Sequence, residues 1–388
     1  MKQNRRRFLG LTGAALAGGL AGCSGGETTP TDSETAATTD TETAADTAEP
    51  TETDTSYTVS MAPVGEVMFD APPASVAHYF PDYGDMAVAL GHADSINSMG
   101  LPSRYHTGHY DELDGVSVDK ESMTALVGDA GISKEVFYEL ESDLHMIDPQ
   151  WLINNGAFKL AEGDITEISE GVAPFFGNAI FRRTDKWHDY RYYTLYGAFE
   201  KVAAVYDETE KYESLKSFHD DYIADVQTKL PSADSRPNAL LCFGASDEPE
   251  QFYPYRLTDK GSNKKAFRDL GIGDALSDTG IEGLSESERG TIDYETMLEV
   301  DPDSILLRGH EGKSREEFEN TVLEFMKNDD VASELTAVQN DMVFRGGPIY
   351  PGPLHHLFLV ERYATGYFPD TFSGELFDRD ELASIITE

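Results

Sequence analysis

Arginine, tyrosine and tryptophan gather at a few short stretches of a chain that has only 30 basic residues against 71 acidic ones. The stretches are Arg104-Tyr105-His106, Trp151 with Asn154, Phe181-Arg182-Arg183, Tyr253-Pro254-Tyr255-Arg256, Arg308-Gly309-His310, and Arg345 followed by Tyr350. A guanidinium donates hydrogen bonds in a fixed fork to anionic oxygens, while Tyr and Trp stack on flat rings and hydrogen-bond at their polar ends. Together these residue types suit an anionic ligand rich in oxygen atoms and planar groups. Each arginine taken singly is equally well explained by pairing with one of the abundant carboxylates. As a set, Arg104, Tyr105, His106, Trp151, Arg182, Arg183, Tyr253, Arg256, His310, Arg345 and Tyr350 are the candidate binding residues.

Catalytic chemistry finds little support. The ten histidines are scattered, and the sequence contains no His-Glu-x-x-His, Cys-x-x-Cys or Gly-x-Ser-x-Gly. His355 and His356 are adjacent, so on a helix their rings point different ways. His106 and His109 with Asp111 make the best local metal-ligand grouping, but exposure in a loop or contact with a bound chelate explains them as well. A receptor for a bare metal ion would want three or four histidines and carboxylates converging, whereas the arginine and aromatic pattern favours a metal already chelated. No enzyme activity, resident cofactor or protein-held metal is expected, and a metal-dependent exported hydrolase is the remote alternative.

These residues must be positioned by loops, and the strand pattern says which. Residues 57–61 alternate as an opening strand, residues 72–79 lead into a helix that carries on towards Gly91, residues 135–140 form a helical turn, and residues 142–149 read as a strand ended by Pro149. The second half repeats the scheme with a strand at 239–243, a short helix at 292–300 and a turn and strand at 301–307. Strands separated by helices predict two α/β lobes, each with a central, mostly parallel sheet covered on both faces. Open sheets of this kind bind ligands in the loops beyond the carboxyl ends of their strands. Between the halves, residues 196–230 lack proline and carry apolar residues at helical spacing, which predicts one connecting helix of about 50 Å at 1.5 Å per residue. Two shorter helices with a break near Glu208 to Glu210 are the alternative.

The ends of the chain speak of export. Arg5-Arg6-Arg7-Phe8-Leu9 precedes an apolar run, and Leu20-Ala21-Gly22-Cys23 closes it. The arginines resemble a twin-arginine signal and the last four residues a lipobox, which makes 1–22 a signal peptide and Cys23 the lipidated residue. The apolar run is too short to span the roughly 20 residues a membrane helix needs. Residues 23–56 lack aromatic and large aliphatic residues and cannot offset the entropy of ordering, so they read as a tether, with threonines open to glycosylation. Residues 57–195 then form the first lobe, 196–230 the connection and 231–388 the second lobe. After Ser56 the chain still holds 26 basic and 62 acidic residues, a surface that repels nucleic acid. Cys242 sits in an apolar strand and reads as a buried thiol with no disulfide partner.

Residues 87–94, 139–148, 293–303 and 336–346, in this order, are similar to the substrate-binding lipoproteins of ABC importers for ferric siderophores, haem and cobalamin. The resemblance covers essentially everything after Ser56, and the acidic surface is similar to that of a salt-loving archaeal branch. It implies the class III periplasmic-binding-protein fold, with two Rossmann-like lobes joined by a long helix and ligand between them. It also implies a receptor on the outer face of the cell membrane, held by lipid on Cys23. The ligand would be a ferric siderophore or related metal chelate, with haem or cobalamin as alternatives. The partner would be a permease dimer with its ATPase subunits. In such proteins an acidic residue on each lobe docks into the permease; matching the short helix before a strand in each half puts these at Glu135 and Glu295.

Overall fold

The computed structural model describes residues 55–158, 160–281 and 290–388. The signal peptide 1–22, the lipidation of Cys23 and nearly all of the tether lie outside the described residues. No helix among the described residues is long and apolar enough to cross a membrane.

Among the described residues eleven strands run in chain order: β1 Tyr57–Met61, β2 Gly65–Phe69, β3 Val76–His78, β4 Ile96–Met99, β5 Thr124–Ala125, β6 Leu144–Met146, β7 Asn238–Phe243, β8 Tyr253–Tyr255, β9 Gly273–Asp274, β10 Ser304–Arg308 and β11 Val343–Arg345. The first lobe is a parallel sheet of order β5-β4-β3-β6. The second has the order β11-β10-β7-β8, parallel except for β8, with β9 beside β7. Strands covered on both faces need apolar residues in continuous runs, and β7 supplies Ala239, Leu240, Leu241 and Cys242, all fully buried. The α/β class with two parallel-sheet lobes is therefore the observed one.

Two local expectations need correcting. The opening strand β1 pairs only with β2, in an antiparallel hairpin outside the lobe sheets. The segment before Gly91 is not simply the approach to a helix: buried Val76, Ala77 and His78 form a central strand, and the helix begins afterwards at Pro81.

The connection is also not one rod. A helix runs over Leu195–Tyr206 and a second over Thr209–Lys229, because Asp207 takes a left-handed backbone with φ 59° and Glu208 N–H bonds back to the Ala203 carbonyl at 2.9 Å. Aspartate tolerates that conformation better than most residues. The two helices fold back on each other, so that the Tyr212 hydroxyl donates to the Tyr196 carbonyl at 3.1 Å. The linking element is thus Thr209–Lys229 alone, about 31 Å long at 1.5 Å per residue. Lys211 near its start bonds the Leu90 carbonyl of the first lobe at 3.3 Å, and Gln227 near its end bonds the Asp269 carbonyl of the second at 3.1 Å.

A second helix, Pro353–Tyr367, also bridges the lobes. On one side Phe267 packs on Tyr363 at 4.6 Å. On the other, the Asp85 carboxylate of helix Pro81–Ala89 accepts the Leu354 and His355 N–H groups at 2.8 and 3.2 Å and the Tyr110 hydroxyl at 2.6 Å, and faces His109 Nε2 at 3.1 Å. Burial works against its charge, yet the bonds from His109 and Tyr110 win and hold the carboxyl below its usual range. Gly352 permits the approach, since a Cβ there would lie 2.3 Å from the Asp85 side chain. The last helix, Arg379–Thr387, returns to the first lobe through the Arg379 contact with Glu112 at 3.3 Å, so the second lobe does not hold all of 231–388.

Burial has a consequence for acid stability. His145 on β6 is fully buried between Phe137 and Phe175, with ring centroids at 5.0 and 4.8 Å, and desolvation pulls it down to about 4. Since the unfolded imidazole titrates near 6.5, the unfolded chain takes up this proton first as pH falls. The stability present above pH 6.5 is therefore lost between 6.5 and about 4. At pH 5 this group accounts for about 2 kcal/mol of loss. His145→Phe is expected to narrow the difference in urea midpoint between pH 7 and pH 5, and an undiminished difference would contradict the assignment.

Candidate functional site

Loops at the carboxyl ends of the central strands of both lobes meet around a cavity of about 410 Å³. The first lobe supplies Tyr79, which directly follows β3, Arg104 beyond β4, and Trp151 on the helix Pro149–Asn154 after β6. That helix is set by Asp148, whose carboxylate accepts the Gln150 and Ala179 N–H groups at 2.9 and 2.8 Å and the Tyr190 hydroxyl at 2.6 Å. Burial nevertheless draws its carboxyl up to about 6. The second lobe supplies Phe243 at the end of β7, Tyr253 and Tyr255 two apart on β8, and Lys264. Tyr350 closes the cavity with its ring 5.5 Å from Phe80 and 4.8 Å from Phe181.

The electrostatics of this cavity run opposite to those of the chain. Its walls carry Arg104, Arg182 and Lys264, and no aspartate or glutamate is among the described lining residues. Arg182 lies over the rings of Trp151 and Phe181 at 5.3 and 5.2 Å and is steadied from behind by Asp185 at 2.6 Å. Lys264 is 2% exposed, pairs with Asp259 at 2.8 Å, and is drawn down to about 8 by desolvation. Behind Tyr255 stands Arg308, which is 1% exposed and bonds the Asn263 and Gly346 carbonyls at 2.6 and 3.2 Å, its guanidinium 5.2 Å from the tyrosine ring. A buried guanidinium behind Tyr255 adds positive charge on that side of the cavity. The arrangement can hold an anion against aromatic faces; it offers no nucleophile with a base.

The expected residues divide by position. Arg104, Trp151, Arg182, Tyr253 and Tyr350 come together at this cavity. His106 and Arg345 line a second, more polar cavity of about 700 Å³ further along the cleft, with Glu112, Glu311 and Arg362. Four do not line either cavity. Tyr105 is buried, its hydroxyl 3.0 Å from that of Tyr110. Arg183 stacks over Tyr192 at 4.9 Å. Arg256 is held by Asp274 at 3.1 Å, the structural use that a carboxylate-rich chain makes available. His310 is buried and bonds the Gly244 carbonyl at 2.6 Å. Tyr79, Tyr255 and Lys264 join the cavity from outside the candidate set, Tyr255 from within a stretch already singled out. The first two had a signal, being at a strand end and two residues from Tyr253 on one strand face; Lys264 had none.

Glu135 and Glu295 are both exposed, each in the first turn of a short helix, Glu135–Leu140 and Tyr294–Val300, that precedes β6 and β10 respectively. Hydrogen bonds from its own N–H and from the Ser133 hydroxyl hold the Glu135 carboxyl below its usual range. Cys242 is buried and unpaired by disulfide, and burial drives its thiol well up.

Two parallel-sheet lobes bridged by helices, with a ligand-sized cavity at the facing strand ends, define a two-lobed solute receptor. Residues 76–350 match the family described as periplasmic binding protein, and the chain belongs to that family. It is a family of extracytoplasmic binding proteins and not of enzymes, which sets the hydrolase alternative aside. Among solved structures, the petrobactin-binding protein YclQ of Bacillus subtilis is similar with TM-score 0.56 at 15% identity, over 81% of this chain and 99% of that one. The iron-uptake ABC transporter substrate-binding protein PiuA of Streptococcus pneumoniae gives 0.52 at 18%, over 78% and 96%. The Fe3+-hydroxamate transport protein of Saccharomonospora viridis gives 0.52 at 18%, over 80% and 99%. No curated protein matches.

Proposed function

We propose that this protein is the ligand-capturing component of an ABC importer and that it takes up a ferric siderophore or a similar anionic metal chelate in the cavity of about 410 Å³. The observation that carries this reading is the inversion of charge: a chain of net charge -41 lines one cavity with aromatic rings and three cations and no carboxylate. A bare metal ion would find no histidine or carboxylate there, whereas the oxygen shell and flat rings of a chelate match the walls. The similar structures named for petrobactin, iron uptake and Fe3+-hydroxamate transport point the same way, although the likeness to them is one of fold. The reading includes export by the twin-arginine route, a lipid anchor on Cys23 at the outer face of the membrane, and delivery to a permease dimer through Glu135 and Glu295.

Protein purified from its own host in high salt is expected to carry a coloured ligand at one per chain, and mass spectrometry of the extract names it. A haem or cobalamin mass would move the ligand to those alternatives, and a tightly held bare metal would reject the chelate reading. The acidic surface fits the salt-loving branch of the family. Its unfolding midpoint is expected to fall when salt drops from molar to about 0.1 M, as the Debye length grows from roughly 3 to 10 Å; an unchanged midpoint would reject that adaptation.

A further inference from the structure

We propose that His219, Asp269 and His356 form a binding site for a divalent transition metal of the zinc type, where the linking helix meets the second lobe. One ligand atom from each lies within 4.8 Å of the other two. The three side chains come from three helices, Thr209–Lys229, Lys265–Asp269 and Pro353–Tyr367. His219 and His356 are 5% and 1% exposed, and none of the three lines either cavity of the cleft. The site is therefore separate from the chelate reading and does not depend on it.

The trio already converges on a cation. Lys265 Nζ lies 3.2 Å from His219 Nε2, 3.3 Å from His356 Nε2 and 2.7 Å from Asp269 Oδ2, while His356 Nε2 itself donates to Asp269 Oδ2 at 2.8 Å, so a metal bound there would take the place of that proton, which Nδ1 is free to carry. Zinc takes histidine nitrogen and carboxylate oxygen at about 2.0–2.2 Å, so closing on the ion asks each ligand atom to move by roughly 1 Å. The Lys265 side chain is 20% exposed and can swing outward, leaving a fourth position to water. His219 is also oriented as a ligand: its Nδ1 sits 2.9 Å from Asp220 Oδ1, which turns Nε2 inward. Two imidazoles and one carboxylate suit zinc, cobalt, nickel or copper, whereas magnesium and calcium prefer all-oxygen shells. Bound there, the ion would tie the linking helix to helix Lys265–Asp269 of the second lobe and to the bridging helix Pro353–Tyr367.

The test uses the full chain stripped with EDTA, in molar KCl with excess magnesium to occupy surface carboxylates. Calorimetry with Zn2+ is expected to show one ion per chain, and Co2+ to give the strong visible absorption of a tetrahedral site. Asp220→Asn, at a side chain 52% exposed and so safe for folding, is expected to weaken binding by about tenfold. Lys265→Met removes the competing ammonium and is expected to strengthen binding at least about as much. His219→Gln should abolish the cobalt signal while circular dichroism stays unchanged. Absence of stoichiometric binding, or binding that neither Asp220→Asn nor Lys265→Met shifts, would overturn the proposal.

Discussion

The double substitution of Arg104 and Arg182 by alanine is expected to weaken binding of an anionic ferric chelate by at least about a hundredfold. Each guanidinium stands at the cavity wall, and each hydrogen bond to a charged group contributes about 1.5–3 kcal/mol. Two such losses, added across the cavity, amount to about 3–6 kcal/mol, and 1.4 kcal/mol is a factor of ten. The readout is built in: of the two tryptophans, Trp151 lines the cavity and the Trp187 ring lies 6.3 Å from the Trp151 ring, so fluorescence quenching follows occupancy. Arg256→Ala serves as the contrast, because Asp274 holds that arginine off the cavity, and its affinity should stay within a few-fold. Equal affinity in the double variant and the parent protein would remove the cationic wall from the binding account.

Charge reversal of Glu135 and Glu295 to lysine is expected to abolish uptake in cells while leaving chelate affinity unchanged within a few-fold. Both carboxylates are exposed at the starts of short helices that occupy matching places in the two lobes, and neither lines a cavity. In the docking proposed above each carboxylate would meet a basic permease pocket, so a lysine there would turn attraction into repulsion, and like-charge contacts at an interface cost several kcal/mol. Each single reversal should impair transport in part. Wild-type uptake by the double variant would place the permease contact elsewhere.

The sheets were legible from the sequence because a strand buried on both faces must be apolar throughout, as in Leu240-Leu241-Cys242. The break in the connection was legible only as the alternative to one helix, since choosing between them depends on Asp207 adopting a left-handed backbone, which leaves Tyr212 and Phe199 packed edge to face at 5.3 Å. Arg182 and Arg256 illustrate the same limit at the site. Both occur beside aromatic residues in sequence, but Asp185 steadies one at the cavity wall and Asp274 draws the other away. Which carboxylate claims an arginine is a long-range outcome, and spacing along the chain does not encode it. Lys264 was hidden for a related reason, because a lysine 2% exposed is decided by burial and not by its neighbours in sequence.

The Asp85 carboxylate that caps helix Pro353–Tyr367 acts as a cross-bolt between the lobes. A receptor bolted in this way works as a fixed-gap caliper: it sizes a ligand against walls already set, and gains little selectivity from clamping down after contact. Capture then needs no large motion, so the encounter rate should follow diffusion and the charge of the ligand. Release becomes the mechanical step. Whatever widens the gap must strip donors from a buried carboxylate, at about 1.5–3 kcal/mol for each charged hydrogen bond, and on the function proposed above that work would fall to the permease.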